Sequence, residues 1–194
     1  MQSFLDTLAQ KTGFPEELAL MWWQSIVQKS VTKGQILLHK NEVSARSYFV
    51  QSGCLRSCSI DAKGKEHIFM FAPEGWTIGN MQSQTSQTPS DLFIDALEDT
   101  ELEVFNEQIL DKMALQKPEM MRNGFEKLLR RNAVLQKRVI MFMSATAWER
   151  YQHFIQTYPN IVQRVPQRLV ASYLGITREA LSKMRGDMAR QKTI

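Results

Sequence analysis

Residues 167–186 read QRLVASYLGITREALSKMRG. Val170, Ala171 and Leu174 fall on one face of a first short helix. Gly175 follows, where a chain turning left-handed at a helix C-terminus favours a residue without a side chain. Ile176 is apolar and suits the corner, and Thr177 has the hydroxyl that caps a second helix. Leu181 and Met184 then give a three-residue apolar spacing. A small residue where two helices touch, a glycine in the turn and apolar residues at 170, 174, 176, 181 and 184 are the needs of a helix-turn-helix. The outer face of the second helix carries Arg178, Glu179, Ser182, Lys183 and Arg185, groups that address base edges and phosphates in a major groove. Thr177 and Arg168, at the two helix starts, join the candidate DNA-contacting set. The competing reading is an ordinary helical hairpin.

Working back from this stretch, "ATAWERYQHFIQTYPNI" predicts a helix ended by Pro159, with Trp148, Phe154 and Tyr158 packing under the pair. Before it, residues 118–144 read as one long helix starting at Pro118 beside Glu119. In heptads, Phe125, Asn132 and Val139 fall at a, and Met121, Leu128, Leu135 and Phe142 at d. An Asn at an a position fixes register and chain number in a parallel two-stranded coiled coil, so a homodimer through these residues is expected. A second stripe, Leu129, Ala133, Ile140 and Met143, is left to pack on the chain's own sheet. Gly124 is a weak point in this helix.

Residues 30–107 change in character. Short strand-like runs ("QILLHK", "SYFVQSG", "CLRSCSI", "EHIFMFA", "WTIGN", "LFIDALE", "TELEVFN") alternate with turns holding Gly34, Gly53, Gly64, Gly75 and Gly79. "DAKGKE" at 61–66 is a hairpin turn with Gly64 at the position of positive φ. Such spacing predicts an antiparallel sandwich, roll or jelly roll. "QSQTSQTPS" at 82–90 reads as a polar loop. Residues 3–11 and 15–28 read as two helices, the second with an apolar stripe of Phe14, Leu18, Met21, Trp22 and Ile26. The fold class is therefore α+β, with a β-roll over 1–116, a dimerisation helix over 117–144 and a helix-turn-helix domain over 145–194.

Charge follows these divisions. The 194-residue chain is net +4. Residues 1–116 hold nine Lys and Arg against fifteen Asp and Glu; residues 117–144 hold seven against two, and residues 145–194 eight against three. An acidic first part and a basic remainder fit a sensor joined to a nucleic-acid module. No apolar run reaches the roughly 18 residues of a membrane span. "MQSFLDTLAQK" has neither the basic start nor the apolar stretch of a signal peptide, so a cytoplasmic protein is expected. Cys54 and Cys58, four apart on one strand, would sit roughly 13 Å apart, too far for a disulfide, and reduced thiols are expected.

These segments together resemble the Crp/Fnr family of bacterial transcription regulators, over nearly the whole chain. The resemblance rests on "KGQILLHKNE" (33–42), "YFVQSGCLRS" (48–57), "DAKGKEH" (61–67), "EGWTIGN" (74–80) and "GITREALSK" (175–183), and is strongest to the family's Bacteroidetes-type variants. It implies a homodimer on a palindromic double-stranded DNA site, with RNA polymerase as a further partner. It implies that Arg178, Glu179 and Lys183 contact bases and phosphates, and that a small molecule in the roll governs the dimer helix. Two departures stand out. The family's cyclic-nucleotide binders carry Glu after the Gly of "IGE" and an Arg-Ser pair before the next strand. This chain has Asn80 and Pro89-Ser90-Asp91, and an Asp repels a phosphate. Cyclic AMP is not expected, and no cofactor or metal is assigned. The effector pocket, if present, would involve Gly79, Asn80, Met81, Ser90, Asp91 and Asn132. Two cysteines exclude the four-cysteine iron–sulfur version, and His39, His67 and His153 are scattered rather than paired for haem. The chain carries no H-x-H, G-x-S-x-G or Gly-rich phosphate loop. A cupin-like metal enzyme and an interaction module with a degenerate helix-turn-helix are the lesser readings.

Overall fold

The computed structural model describes residues 3–9, 16–116 and 118–191. It opens with α1 (Phe4–Ala9) and α2 (Glu16–Ser25), followed by β1 (Val27–Val31), β2 (Ile36–Leu38), β3 (Arg46–Ser52), β4 (Leu55–Ile60), β5 (Glu66–Ala72) and β6 (Thr77–Gly79). Then come α3 (Met81–Ser86), β7 (Phe93–Ala96), β8 (Thr100–Asn106), α4 (Glu107–Gln116) and α5 (Pro118–Ser144). The chain ends in α6 (Ala147–Thr157), α7 (Ile161–Arg164), α8 (Gln167–Leu174) and α9 (Arg178–Gln191). Two compact units result: residues 1–60 with 69–128, and residues 61–68 with 129–194.

The first unit is a roll of two four-stranded sheets, ordered β1-β8-β3-β6 and β2-β7-β4-β5. Its core draws on both. Val31, Tyr48, Val50, Ile78 and Leu102 come from the first sheet, and Leu38, Leu55, Ala72, Ile94 and Ala96 from the second. Alternation sets this: in the β4–β7 pairing, Leu55 lies opposite Ala96, while the next pair, Arg56 and Asp95, forms a partly buried ion pair at 2.9 Å. A second cluster joins Leu18 and Trp22 of α2 to Phe49 and Phe105, with Phe4 stacked on Phe105 at 4.9 Å between ring centroids. The fully buried Glu103 carboxylate ties α1 down, accepting from the Phe4 backbone N–H and from Gln51 Nε2, each at 3.0 Å.

Several expectations need correction. The helix read over 15–28 ends at Ser25, and β1 begins at Val27, where Val27 pairs with Val104 across the sheet. Residues 10–15 lie outside the described part. The stretch 82–90 is not simply a loop. Asn80 accepts the Ser83 backbone N–H at 3.1 Å and so starts α3. That helix stops where Gln87 turns left-handed at φ 53°. α4 had no counterpart in the sequence reading. Cys54 precedes β4 instead of lying on it, and Cys54 and Cys58 are both buried thiols outside any disulfide. α5 runs through Gly124 as one 27-residue helix, about 40 Å at the usual rise.

The second unit is built around α8. Phe154, Tyr158 and Tyr173 form a buried aromatic group with centroids 5.1–5.6 Å apart. Trp148 is half-buried and lies beside Tyr151. α6 is capped reciprocally: Thr146 Oγ1 accepts the Glu149 N–H, and Glu149 accepts the Thr146 N–H at 2.7 Å. Arg138 of α5 lays its guanidinium 4.1 Å from the Tyr173 ring centroid, and burial pushes its pKa down. Arg150 donates to the carbonyls of Leu174 and Ala145, fixing α6 to the end of α8. In the hairpin turn, Asp61 Oδ1 accepts the N–H groups of Lys63 and Lys65, and Gly64 has φ 78°.

Candidate nucleic-acid interface

α8 and α9 form the two-helix unit anticipated from residues 167–186. Leu169, Val170, Ala171, Tyr173 and Leu174 are buried along α8. Gly175 turns the chain at φ 67°, and its N–H and that of Ile176 close the helix end onto the carbonyls of Ser172 and Ala171. Thr177 Oγ1 accepts the Ala180 N–H at 3.2 Å, the N-cap geometry. Leu181 is fully buried beneath α9.

The outer face is left free by this packing. Arg178, Glu179, Ser182 and Lys183 are exposed and line one shallow surface depression. Arg185 is half-buried one turn further on. The Glu179 carboxyl is held below its ordinary pKa, first by its own backbone N–H and then by the Thr177 hydroxyl, with Arg178 adding to the effect. It is therefore ionised at neutral pH, an acceptor between two cations. The Thr177 hydroxyl is engaged in capping, so its part in the site is to set the start of α9. Arg168, read as a DNA contact, lies near the start of α8 and pairs with Glu66 at 2.8 Å. Nothing local in the sequence signalled that partner, 102 residues away.

The dimer residues fall on α5. Phe125, Asn132, Val139 and Phe142 are exposed in the single chain, and Leu135 is half-buried. Met121 and Leu128 lie on the helix, but their side chains are outside the described part. Leu129, Ala133, Ile140 and Met143 of the second stripe are exposed as well, Met143 by 82%. The packing of α5 in this unit is instead made by Arg138 and by Phe142, whose ring meets Gly175.

The residues proposed for an effector divide between the units. Asn132 belongs to the second and the others to the first. Asn80 is buried. Its amide donates to Ser90 Oγ at 2.6 Å while its carbonyl caps α3. Ser90 Oγ donates in turn to the Leu92 carbonyl, and Asp91 and Met81 are exposed. Among the described residues, no group of three His, Cys, Asp or Glu side chains could hold a metal ion. No helix among them is long and apolar enough to cross a membrane.

Residues 28–117 match the cyclic nucleotide-binding domain family. The chain is 25% identical over 173 residues to the anaerobic regulatory protein of Aggregatibacter actinomycetemcomitans, covering 82% of this chain and 65% of that protein. It is 24% identical over 181 residues to the fumarate and nitrate reduction regulatory protein of Vibrio cholerae, covering 86% of this chain and 70% of the other. This chain thus spans about two thirds of the length of these curated relatives, which are named as regulators and not as enzymes. Among solved structures, FixK2 from Bradyrhizobium japonicum superposes with a TM-score of 0.74 at 20% identity over 86% of each chain, a likeness of fold. With a cyclic nucleotide-binding-type roll, a long α5 and the α8–α9 pair in this order, the chain is similar to regulators of the Crp/Fnr type.

Proposed function

We propose that this chain is a homodimeric, sequence-specific DNA-binding transcription regulator that acts on a palindromic site, with RNA polymerase as a further partner, in the cytoplasm. The observation that carries this reading is the outer face of α9. Two cations, a carboxylate and a hydroxyl stand exposed on consecutive turns of a helix whose inner face is held by Leu181. Arg suits guanine, Glu suits cytosine, and Lys and Ser suit phosphate or a base edge. The basic character of residues 117–194 supports the electrostatic part of binding. Exposure of these side chains disfavours an interaction module that would bury them.

The dimer half of the reading is supported by α5. Its exposed apolar residues at a and d need a partner, and Asn132 at an a position suits a second copy in register. A parallel pair would hold two recognition helices about one turn of DNA apart.

Cyclic AMP fits the roll poorly. The side chain at position 80 is engaged at both ends within the protein, and the phosphate position carries Ser90 and the exposed Asp91. In gel shifts, Arg178→Ala costs about 1–3 kcal/mol at one base position. Lys183→Ala weakens binding to all sequences and lowers the salt slope by about one. Unchanged binding in both variants contradicts the reading.

A further inference from the structure

We propose that Glu66, the first residue of β5, is a built-in competitor for DNA: it holds Arg168 in an ion pair that DNA phosphate must displace. The inference rests on the DNA-binding reading of α8 and α9. Arg168 is the second residue of α8, the helix that crosses the phosphate backbone in a helix-turn-helix complex. Its Nη1 donates to Glu66 Oε2 at 2.8 Å, yet 63% of the side chain stays exposed, so a phosphate has access to it. Surface ion pairs between two floppy side chains count for little. Here the acidic partner is not floppy at its base. Ser172 Oγ donates to the Glu66 carbonyl at 2.7 Å and accepts the Ile68 N–H at 3.1 Å. Arg138 Nη2 donates to the Ile68 carbonyl, also at 3.1 Å. Three contacts thus pin the backbone on both sides of residue 67, and they aim the Glu66 carboxylate at the α8 start. Glu66 itself is 27% exposed along its side chain.

The consequence is electrostatic. A guanidinium paired with a carboxylate must leave it to neutralise a phosphate, and the freed carboxylate takes up a cation in its place, so fewer cations are released on net than with an unpaired one. Any event that lifts residues 61–68 from α8 would free one positive charge and remove one negative charge at the DNA-facing end. A change in the hairpin becomes a change in affinity without a change in α9.

Binding of the full chain to a duplex recovered from a random pool, measured by anisotropy across a salt series, tests this. Glu66→Gln keeps the backbone contacts and a neutral acceptor. It is expected to bind about three-fold tighter, the scale of one surface ion pair. Its salt slope is expected to steepen by up to about 0.9. In an Arg168→Gln background the same change is expected to do nothing. An unchanged slope for Glu66→Gln overturns the inference and leaves the DNA-binding reading standing. A steeper slope that persists without Arg168 also overturns it, because Glu66 would then act only as a distant negative charge. No duplex recovered by the wild type or any variant contradicts the DNA-binding reading itself, and the inference falls with it.

Discussion

The Phe142 ring of α5 lies against Gly175 in the turn between α8 and α9: a Cβ at position 175 would stand 3.0 Å from Phe142 Cε1. The same ring lies 5.3 Å from the Arg138 guanidinium and 5.5 Å from that of Arg150. The end of the long helix is thereby keyed to the turn that orients α9. Gly175→Ala meets two obstacles, the left-handed backbone at φ 67° and the ring. It is expected to lower the stability of this unit by about 1–2 kcal/mol. Thermal unfolding followed by circular dichroism checks this, and an unchanged midpoint contradicts it.

Val139 is 58% exposed at an a position of α5. In the proposed dimer Val139→Glu buries a like-charge pair in the seam and drives the protein to monomer. Sedimentation equilibrium reads the change. A variant still dimeric at the concentrations where the wild type is dimeric removes the α5 seam from the account.

Asn80 and Ser90 occupy one another through the 2.6 Å hydrogen bond, and Asp91 adds a negative charge beside them. Titration of the full chain with cyclic AMP is expected to give no saturable heat. A stoichiometric binding isotherm contradicts the account of this site.

The roll and the two-helix unit were largely legible in the sequence because both are written in local patterns. The strands show apolar alternation ended by glycine, and Gly64 and Gly175 stand where positive φ is needed. α3 was missed because its start depends on one side chain, Asn80, capping a run of polar residues with no apolar period. Val27 continued the apparent helix because its true partner, Val104, is far away in sequence. The Glu66–Arg168 pair and the Arg138–Tyr173 contact were invisible for the same reason.

Glu149 is held below its ordinary pKa of 4.5, first by the Thr146 N–H and then by the Thr146 hydroxyl. A depressed carboxyl contributes its stabilisation above the unfolded-state value and loses it as the pH falls through the folded one. The wild type is therefore expected to lose part of the stability of its α6 cap below the ordinary carboxylate range. Glu149→Gln should lack that component. Urea unfolding of the two proteins between neutral and acid pH compares them, and parallel pH profiles contradict the assignment.

The central claim is that two copies of α9 read DNA. The most direct measurement is selection of duplexes from a random pool by this chain, repeated with Arg178→Ala. The account predicts enrichment of a two-fold palindrome with half-site centres about 10 base pairs apart, and loss of preference at one position in each half-site for the variant. A pool that stays random with the wild type, or an identical enriched site with Arg178→Ala, contradicts it.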